Sequence, residues 1–317
     1  MIDIVKYRYW FFLASLVLIL PGTYYLVTEG LRLGIDFQGG TSWQIQFQRP
    51  VTVERVRDVV RSAAPRYRDA AVQSFGREQA GGVSTGVSMR LPEIRQDSAE
   101  KRQLETTLRN SFGPFTEAQF ITVGPAVGTE IARRSILAVG LACIGILGYI
   151  AFAFRKVRHP VRYGLCAIFA MLHDVLVVVG IFAILGHFFH VEVDALFVTA
   201  VLTIIGFSVH DTIVVFDRIR ENQLRRYSES FENIVNYSVV QTLVRSINTS
   251  LTVLITLAAL YFFGGVTVRN FVLALLIGIA SGTFSSIFNA SLLLVVWENR
   301  EWNRWFGRRQ AASSSAA

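Results

Sequence analysis

The sequence predicts an α-helical polytopic membrane protein of six spans, with one small α+β domain inserted after the first span. Three observations carry that class. Of 317 residues, 52% are hydrophobic and 17% charged, whereas soluble domains carry about 25% charge; the mean hydropathy is +0.43. Several apolar runs reach the roughly 20 residues that a helix needs to cross the hydrocarbon core. The stretch 28–130 lacks such a run and instead alternates in the way of a folded domain.

The first span is read from Tyr9 to Val27 and the second from Ile136 to Phe154. The third covers Val161 to Phe189, helped to start by Pro160, and the fourth Val191 to Phe216. The fifth runs from Val239 to Phe263 and the sixth from Phe271 to Trp297. Lys6 and Arg8 before the first run give it the look of a secretion signal. The run is too long for one and no A-x-A-like site follows, so it reads as an uncleaved span.

The net charge of +8 would suit nucleic acid if it were clustered on a folded surface. Here the basic residues flank the apolar runs instead, which argues against a nucleic-acid partner. Lys6 and Arg8 precede the first span, and Arg155, Lys156, Arg158 and Arg162 join the second to the third. Arg218, Arg220, Arg225 and Arg226 follow the fourth, and Arg300, Arg304, Arg308 and Arg309 follow the sixth. The opposite short loops hold Arg269 alone. The positive-inside rule then places both termini in the cytoplasm. Arg133 and Arg134 break the trend but end a long domain, where the rule is weak. The organisation is a cytoplasmic N-terminus 1–8, a first helix 9–27 and an extracytoplasmic domain 28–130. A five-helix region 131–297 and a cytoplasmic tail 298–317 follow, the Ala/Ser-rich end 310–317 reading as disordered.

Within 28–130, Trp43, Ile45 and Phe47 alternate as in a half-buried strand. Thr52 is placed to cap a helix with Val53, Val56, Val59 and Val60 on one face. Strands follow around Ala70 to Phe75 and Val83 to Leu91. Asp97-Ser98-Ala99-Glu100 opens a second helix with Leu104, Leu108 and Phe112 stacked, and Gly113 ends it. Phe115 to Val123 supplies the last strand. The order β-α-β-β-α-β is the ferredoxin-like arrangement.

Chemistry is sought first among ionisable residues inside spans, since each costs roughly 2.5–3.5 kcal/mol to insert. Asp211 lies about 24 Å below the outer end of the fourth span at about 1.5 Å per residue. Arg245 lies about 27 Å below the same surface in the fifth, so the two are placed to pair across a helix contact. The strictly apolar part of the fifth span, Leu251 to Phe263, is too short to cross alone. The polar turns from Gln241 to Ser250 must complete it, and such turns need protein or water around them. A polar pathway between the fourth and fifth spans follows. An Asp–Arg pair in that place is either a structural ion pair or a site that alternates between paired and protonated states.

His173 and Asp174 sit near the middle of the third span, where a structural network and a relay are both open; Asp174 stays protonated or pairs with His173, His210 or Arg245. His210 is a candidate proton shuttle, although adjacent helix positions face about 100° apart. Asp217, Arg218, Arg220 and Glu221 read as solvated boundary charges, and His190, Glu192 and Asp194 lie in the outer turn. Gly278, Gly282 and Ser285 in the sixth span read as small packing residues. Cys143 and Cys166 read as apolar core residues rather than a disulfide or metal ligands. The sequence has no Walker A loop, H-E-x-x-H, G-x-S-x-G or clustered Cys/His set. No enzyme, metal or cofactor is therefore expected, and work must draw on an ion gradient or a partner.

Four motifs in order resemble one family over the whole chain. Gly34-Ile-Asp-Phe-Gln-Gly-Gly-Thr41 follows the first span and Val123-Gly-Pro-Ala-Val-Gly-Thr-Glu130 precedes the second. The stretch from Phe207 to Asn222, with His210-Asp211 inside it, and the stretch Thr242 to Ser250 complete the set. They resemble the signatures of the SecD/SecF family, on its SecF side, related to the RND transporter superfamily. The resemblance implies a proton-motive-force-driven accessory of bacterial protein export in the inner membrane. Its partner would be SecD, which supplies the other six-span half. Its setting would be the SecYEG channel, with SecA acting on the same unfolded preproteins and YajC and YidC as further candidate partners. The family's proton-pathway residues fall on Asp211 and Arg245. The family usually has Asn where this chain has His210. Glycines and proline of the first two motifs (Gly39, Gly40, Gly124, Pro125, Gly128) read as turn formers; Asp36 and Glu130 have a second reading, as hydrogen-bonding groups that transmit motion. Sodium remains open as the driving ion. Half of an RND-like exporter of lipids or small molecules, and a non-conducting scaffold, are the alternative functions.

Overall fold

The computed structural model describes residues 3–75, 83–155, 159–226 and 228–301. Lys156, Arg158, Arg304, Arg308, Arg309 and the tail 310–317 lie outside the described residues, and of the segment 298–317 only 298–301 lies within them.

The chain enters through α1 (Arg8–Thr28) and a single turn, α2 (Ile35–Gln38), before the inserted domain begins. Strand β1 (Gly40–Thr52) leads to α3 (Val53–Ala63), β2 (Ala71–Phe75), β3 (Val83–Leu91), α4 (Ala99–Phe112) and β4 (Phe115–Val123). The sheet order is β2-β3-β1-β4, and each neighbouring pair is antiparallel. This is the ferredoxin-like arrangement the strand and helix order predicts. The alternation on β1 has a physical reading: Trp43, Ile45 and Phe47 all point into the core. They meet Val56 and Val60 of α3 and Leu104 and Leu108 of α4 in one apolar cluster. Each such fully buried side chain contributes about 1.5–3 kcal/mol of transfer free energy. Ser98 caps α4 by accepting from Lys101 N at 3.2 Å, and Gly113 closes it at φ +85°. Thr52 occupies the N-cap position of α3 without a side-chain cap bond.

The remaining helices are α5 (Pro125–Ala153), α6 (Pro160–Phe189), α7 (Ala195–Arg225) and α8 (Phe231–Phe263). The last span is α9 (Arg269–Phe284), a π-helical stretch Ser285–Ala290, and α10 (Ser291–Glu298). Among the described residues six helices are long and apolar enough to cross a membrane. The chain is thus a multi-pass membrane protein. The third, fourth and sixth spans form the half-buried centre, while α1, α5 and α8 lie mostly exposed around them. Where α1 meets α6, Gly22 faces Gly180 so closely that a Cβ at Gly22 would lie 2.7 Å from Gly180 Cα. Small residues are what let membrane helices approach that far.

Three boundaries differ from the apolar runs. Residues 125–130, read as the end of the domain, are already the first turns of α5. Pro125 takes the N1 position, where its missing N–H is no loss, and the apolar run begins only later. The fourth span starts at Ala195 rather than Val191, because Asp194 caps it and Val193 bridges to Leu33 instead. The segment 217–238, between the fourth and fifth apolar runs, is largely helical. There Arg220 pairs with Asp217 and Arg225 with Glu221 along α7. Cys143 and Cys166 are free thiols.

Candidate functional site

The polar stretch of α8 divides between two faces. Thr242, Ser246 and Ser250 recur at helical spacing and are buried toward the bundle. Arg245, Asn248 and Thr249 are exposed, while Gln241 reaches α7, its Oε1 accepting from Arg218 Nε at 2.5 Å and Asn222 Nδ2 at 3.1 Å. Asp211 of α7 is 3% exposed, and the groups acting on it are His210 beside it and Ser250 across on α8. Its Oδ2 is buried with no hydrogen-bond partner among the described residues. From Ser250 the polar line continues to Thr283 of α9, whose hydroxyl lies 2.5 Å away.

The expected Asp211–Arg245 pair is not formed within this chain. Arg245 is exposed and makes no ion pair among the described residues. The reason is angular: it precedes Ser246 by about 100° of helix, which turns it off the seam that Ser246 and Ser250 share. His210 is likewise exposed while Asp211 is buried. Asp211 and Ser250 are therefore brought together, and Arg245 and His210 stand on the bundle's open faces.

Asp174 of α6 has the opposite environment. It is fully buried and accepts from Ser208 Oγ at 2.5 Å, Ser285 Oγ at 2.6 Å and Ser281 Oγ at 2.9 Å. His173 Nδ1 lies 3.0 Å from its Oδ1, whereas the His173 Nε2 is buried without a partner among the described residues. Of the partners the sequence left open for Asp174, His173 is the one it meets. The hub extends one step further: Ser286 donates to Ser208 O and Thr212 donates to Ser286 Oγ, both at 3.0 Å. Ser285 and Ser286 sit at the start of the π-helical stretch, a distortion that recurs at functional sites. Gly282 borders this hub, and a Cβ there would make only ordinary contact, 3.5 Å from Asp174 Oδ2. Ser285 is thus a donor to a buried carboxylate and not only a small packing residue. Ser208, Ser281 and Ser286 were missed; for Ser281 the signal available was its four-residue spacing from Ser285 inside an apolar span.

The two glycine motifs meet at the root of the domain. Gly39, at φ +76°, presses on Pro125, where a Cβ would come 2.9 Å from Pro125 Cα. Gly40 presses on Leu91 O, and Gly128 seats against Phe37 and Gly39. Gly124 is the extended N-cap of α5. Asp36 Oδ2 accepts from Ala195 N, the first residue of α7, at 2.9 Å. Glu130 makes a local pair with Arg134 at 2.6 Å and reaches no other element through it. Arg90 of β3 donates to Leu33 O at 2.8 Å, to Glu192 Oε1 at 3.0 Å and to Gln38 Oε1 at 2.6 Å. That cation, which stands in none of the four motifs, ties the sheet to the α6–α7 loop.

Six spans surround two buried carboxylates, and the inserted domain is tied to the helix that carries one of them. Residues 103–300 match the C-terminal family of SecD/SecF protein export membrane proteins, and residues 24–51 match the SecD/SecF GG motif. A protein translocase subunit SecF from Thermobaculum terrenum is 67% identical over 99% of this chain and 100% of that protein. The SecDF of Bacillus subtilis is 35% identical over 94% of this chain but only 38% of its own length. The crystal structure of SecDF from Thermus thermophilus superposes with a TM-score of 0.81 at 34% identity, covering 94% of this chain and 39% of that one. The chain belongs to the SecD/SecF family of protein export membrane proteins, and its role is an accessory one in protein export.

Proposed function

We propose that this chain works beside SecD as an ion-driven subunit that helps preproteins through the SecYEG channel and off its outer side. The driving ion in this reading is the proton, moving down the proton motive force, with sodium as the alternative ion to test. The observation that carries the reading is Asp211: a carboxylate buried at membrane depth with one oxygen unbonded, at the end of a line of hydroxyls. A group of that kind can exchange a proton without dismantling a hydrogen-bonded hub, which Asp174 cannot.

Arg245 completes the reading from outside the chain. A cation facing hydrocarbon costs roughly 2.5–3.5 kcal/mol, and the exposed Asn248 and Thr249 stand close to it on α8. A second six-span unit covering that face removes the cost, and SecD is the unit proposed. The SecDF relatives carry both halves in one longer chain, which supports the pairing. The lysine and arginine distribution supports a bacterial inner-membrane orientation with both termini in the cytoplasm. SecA would act on the same unfolded preproteins, with YajC and YidC as neighbours.

Asp211→Asn tests the reading in cells depleted of the native protein. The expected outcome is accumulation of secretory precursors while SecD still co-purifies. Normal export with an intact complex would reduce Asp211 to helix packing and remove the ion-coupled function.

A further inference from the structure

The segment joining α1 to β1 holds the N-terminal end of α7 residue by residue. Val193 N donates to Arg32 O at 2.8 Å, and Gly34 N donates to Val193 O at 2.8 Å. Ala195 N then donates to Asp36 Oδ2 at 2.9 Å. Positions 32 and 34 therefore form a single parallel bridge beside Val193, centred on Leu33, and the Asp36 side chain, from the turn α2, continues the contact to Ala195. There is no slack beyond it. The turn α2 ends at Gly39, which is wedged against Pro125, and Gly40 opens β1 directly. Strand β1 lies between β3 and β4, so whatever moves Asp36 moves the middle of the sheet. Arg90 braces the same joint from β3 through Glu192 and Gln38.

Asp194 caps the helix, accepting from Phe197 N at 2.9 Å. Two carboxylates at one helix end also repel. Burial first, and the charge of Asp36 besides, push the Asp194 carboxyl above its ordinary range against the bond from Phe197 N. The helix start leaves several N–H groups unbonded: Asp194 takes the one at Phe197 and Asp36 the one at Ala195. The second acid lies on α2, the turn that leads into β1, and its bond crosses from the domain's root to the helix that carries Asp211.

We infer that Asp36 is a positioning residue that couples α7 to the outer domain, so that movement of α7 reaches the sheet through the Asp36–Ala195 bond. The inference rests on the ion-coupled reading of Asp211 proposed above. Asp211 serves the ion, α7 is the rod, and Asp36 is the joint that turns ion movement into domain movement.

The signature of a joint is uncoupling. In the full complex with SecD, reconstituted with the export channel, Asp36→Ala should slow gradient-driven export by about tenfold or more, within the range typical of coupling free energies. Proton movement through the complex should stay within about twofold of wild type, a split a merely structural role does not produce. Ala195→Pro removes the donor instead of the acceptor, and proline is well tolerated at the first helical position; it should give the same split even if Asp36→Ala fails to assemble. Asp36→Asn, which keeps an acceptor oxygen, should fall between. Unchanged export in an intact Asp36→Ala or Ala195→Pro complex would overturn the inference. So would loss of proton movement together with export. If Asp211→Asn also exports normally, the ion-coupled reading fails and the joint with it; if only the Asp36 and Ala195 variants export normally, the joint alone fails.

Discussion

Two aspartates at membrane depth differ in how many donors they hold, and the roles proposed for them follow that difference. Asp174 has three serine hydroxyls and a histidine ring around it. Hydrogen bonds to a charged group are worth about 1.5–3 kcal/mol each, so protonating Asp174 would weaken several at once. Ser285→Ala should cost about 1.5–3 kcal/mol, and Asp174→Ala more, because three buried hydroxyls lose their acceptor together. Thermal unfolding in detergent measures both, and an unchanged midpoint for Ser285→Ala would contradict the hub. Asp211 is governed by fewer groups. Arg245→Met should leave the infrared carboxyl signal of Asp211 unaltered in the isolated chain, since Arg245 faces away from it. A shifted signal there would mean that the two side chains meet without a partner.

At the level of elements, the joints are made where glycine lets backbone touch backbone. Gly39→Ala brings a Cβ to 2.9 Å from Pro125 Cα at a φ of +76°, a combination of clash and backbone strain worth about 1–3 kcal/mol or more. Its effect should be local. Amide exchange should quicken in α2 and the first turns of α5 while the α3 and α4 core of the domain stays protected; uniform loosening would contradict the seat. The six spans and the β-α-β-β-α-β order were legible in the chain because apolar runs and alternating strands such as Trp43, Ile45 and Phe47 are local patterns. The start of α5 was not, since Gly124-Pro125 reads as a turn until Pro125 is seen at N1. The serines around Asp174 were not either. Ser281 and Ser285 lie in a run that also holds Gly278 and Gly282, and only the approach of α6 and α7 shows that they face a carboxylate. The turning of Arg245 away from Asp211 likewise depends on which side of α8 the bundle occupies, which depth along the helix does not specify.

Across the whole molecule, acid acts at both ends of the bundle with opposite sign. Asp194, at the domain end, titrates above its ordinary range because of burial and the nearby Asp36. Folding therefore takes up a proton there, and the stability it contributes is lost as pH rises through that raised value. For Glu301, at the other end, burial raises the carboxyl, but the Tyr9 hydroxyl and the Arg8 guanidinium outweigh it and hold the carboxyl below its usual range. Its contribution is present above the ordinary carboxylate value and lost as pH falls through the lowered one. Unfolding midpoints measured below and above about pH 4 should therefore separate Asp194→Asn, which removes loss on the alkaline side, from Glu301→Gln, which removes loss on the acid side. Between these ends the central claim is that Asp211 carries the driving ion. The direct measurement is proton entry into vesicles holding the complex with SecD, followed with an internal pH dye after a proton gradient is imposed. Wild type should conduct and Asp211→Asn should not, with both complexes intact. Equal proton entry in the two would contradict the account.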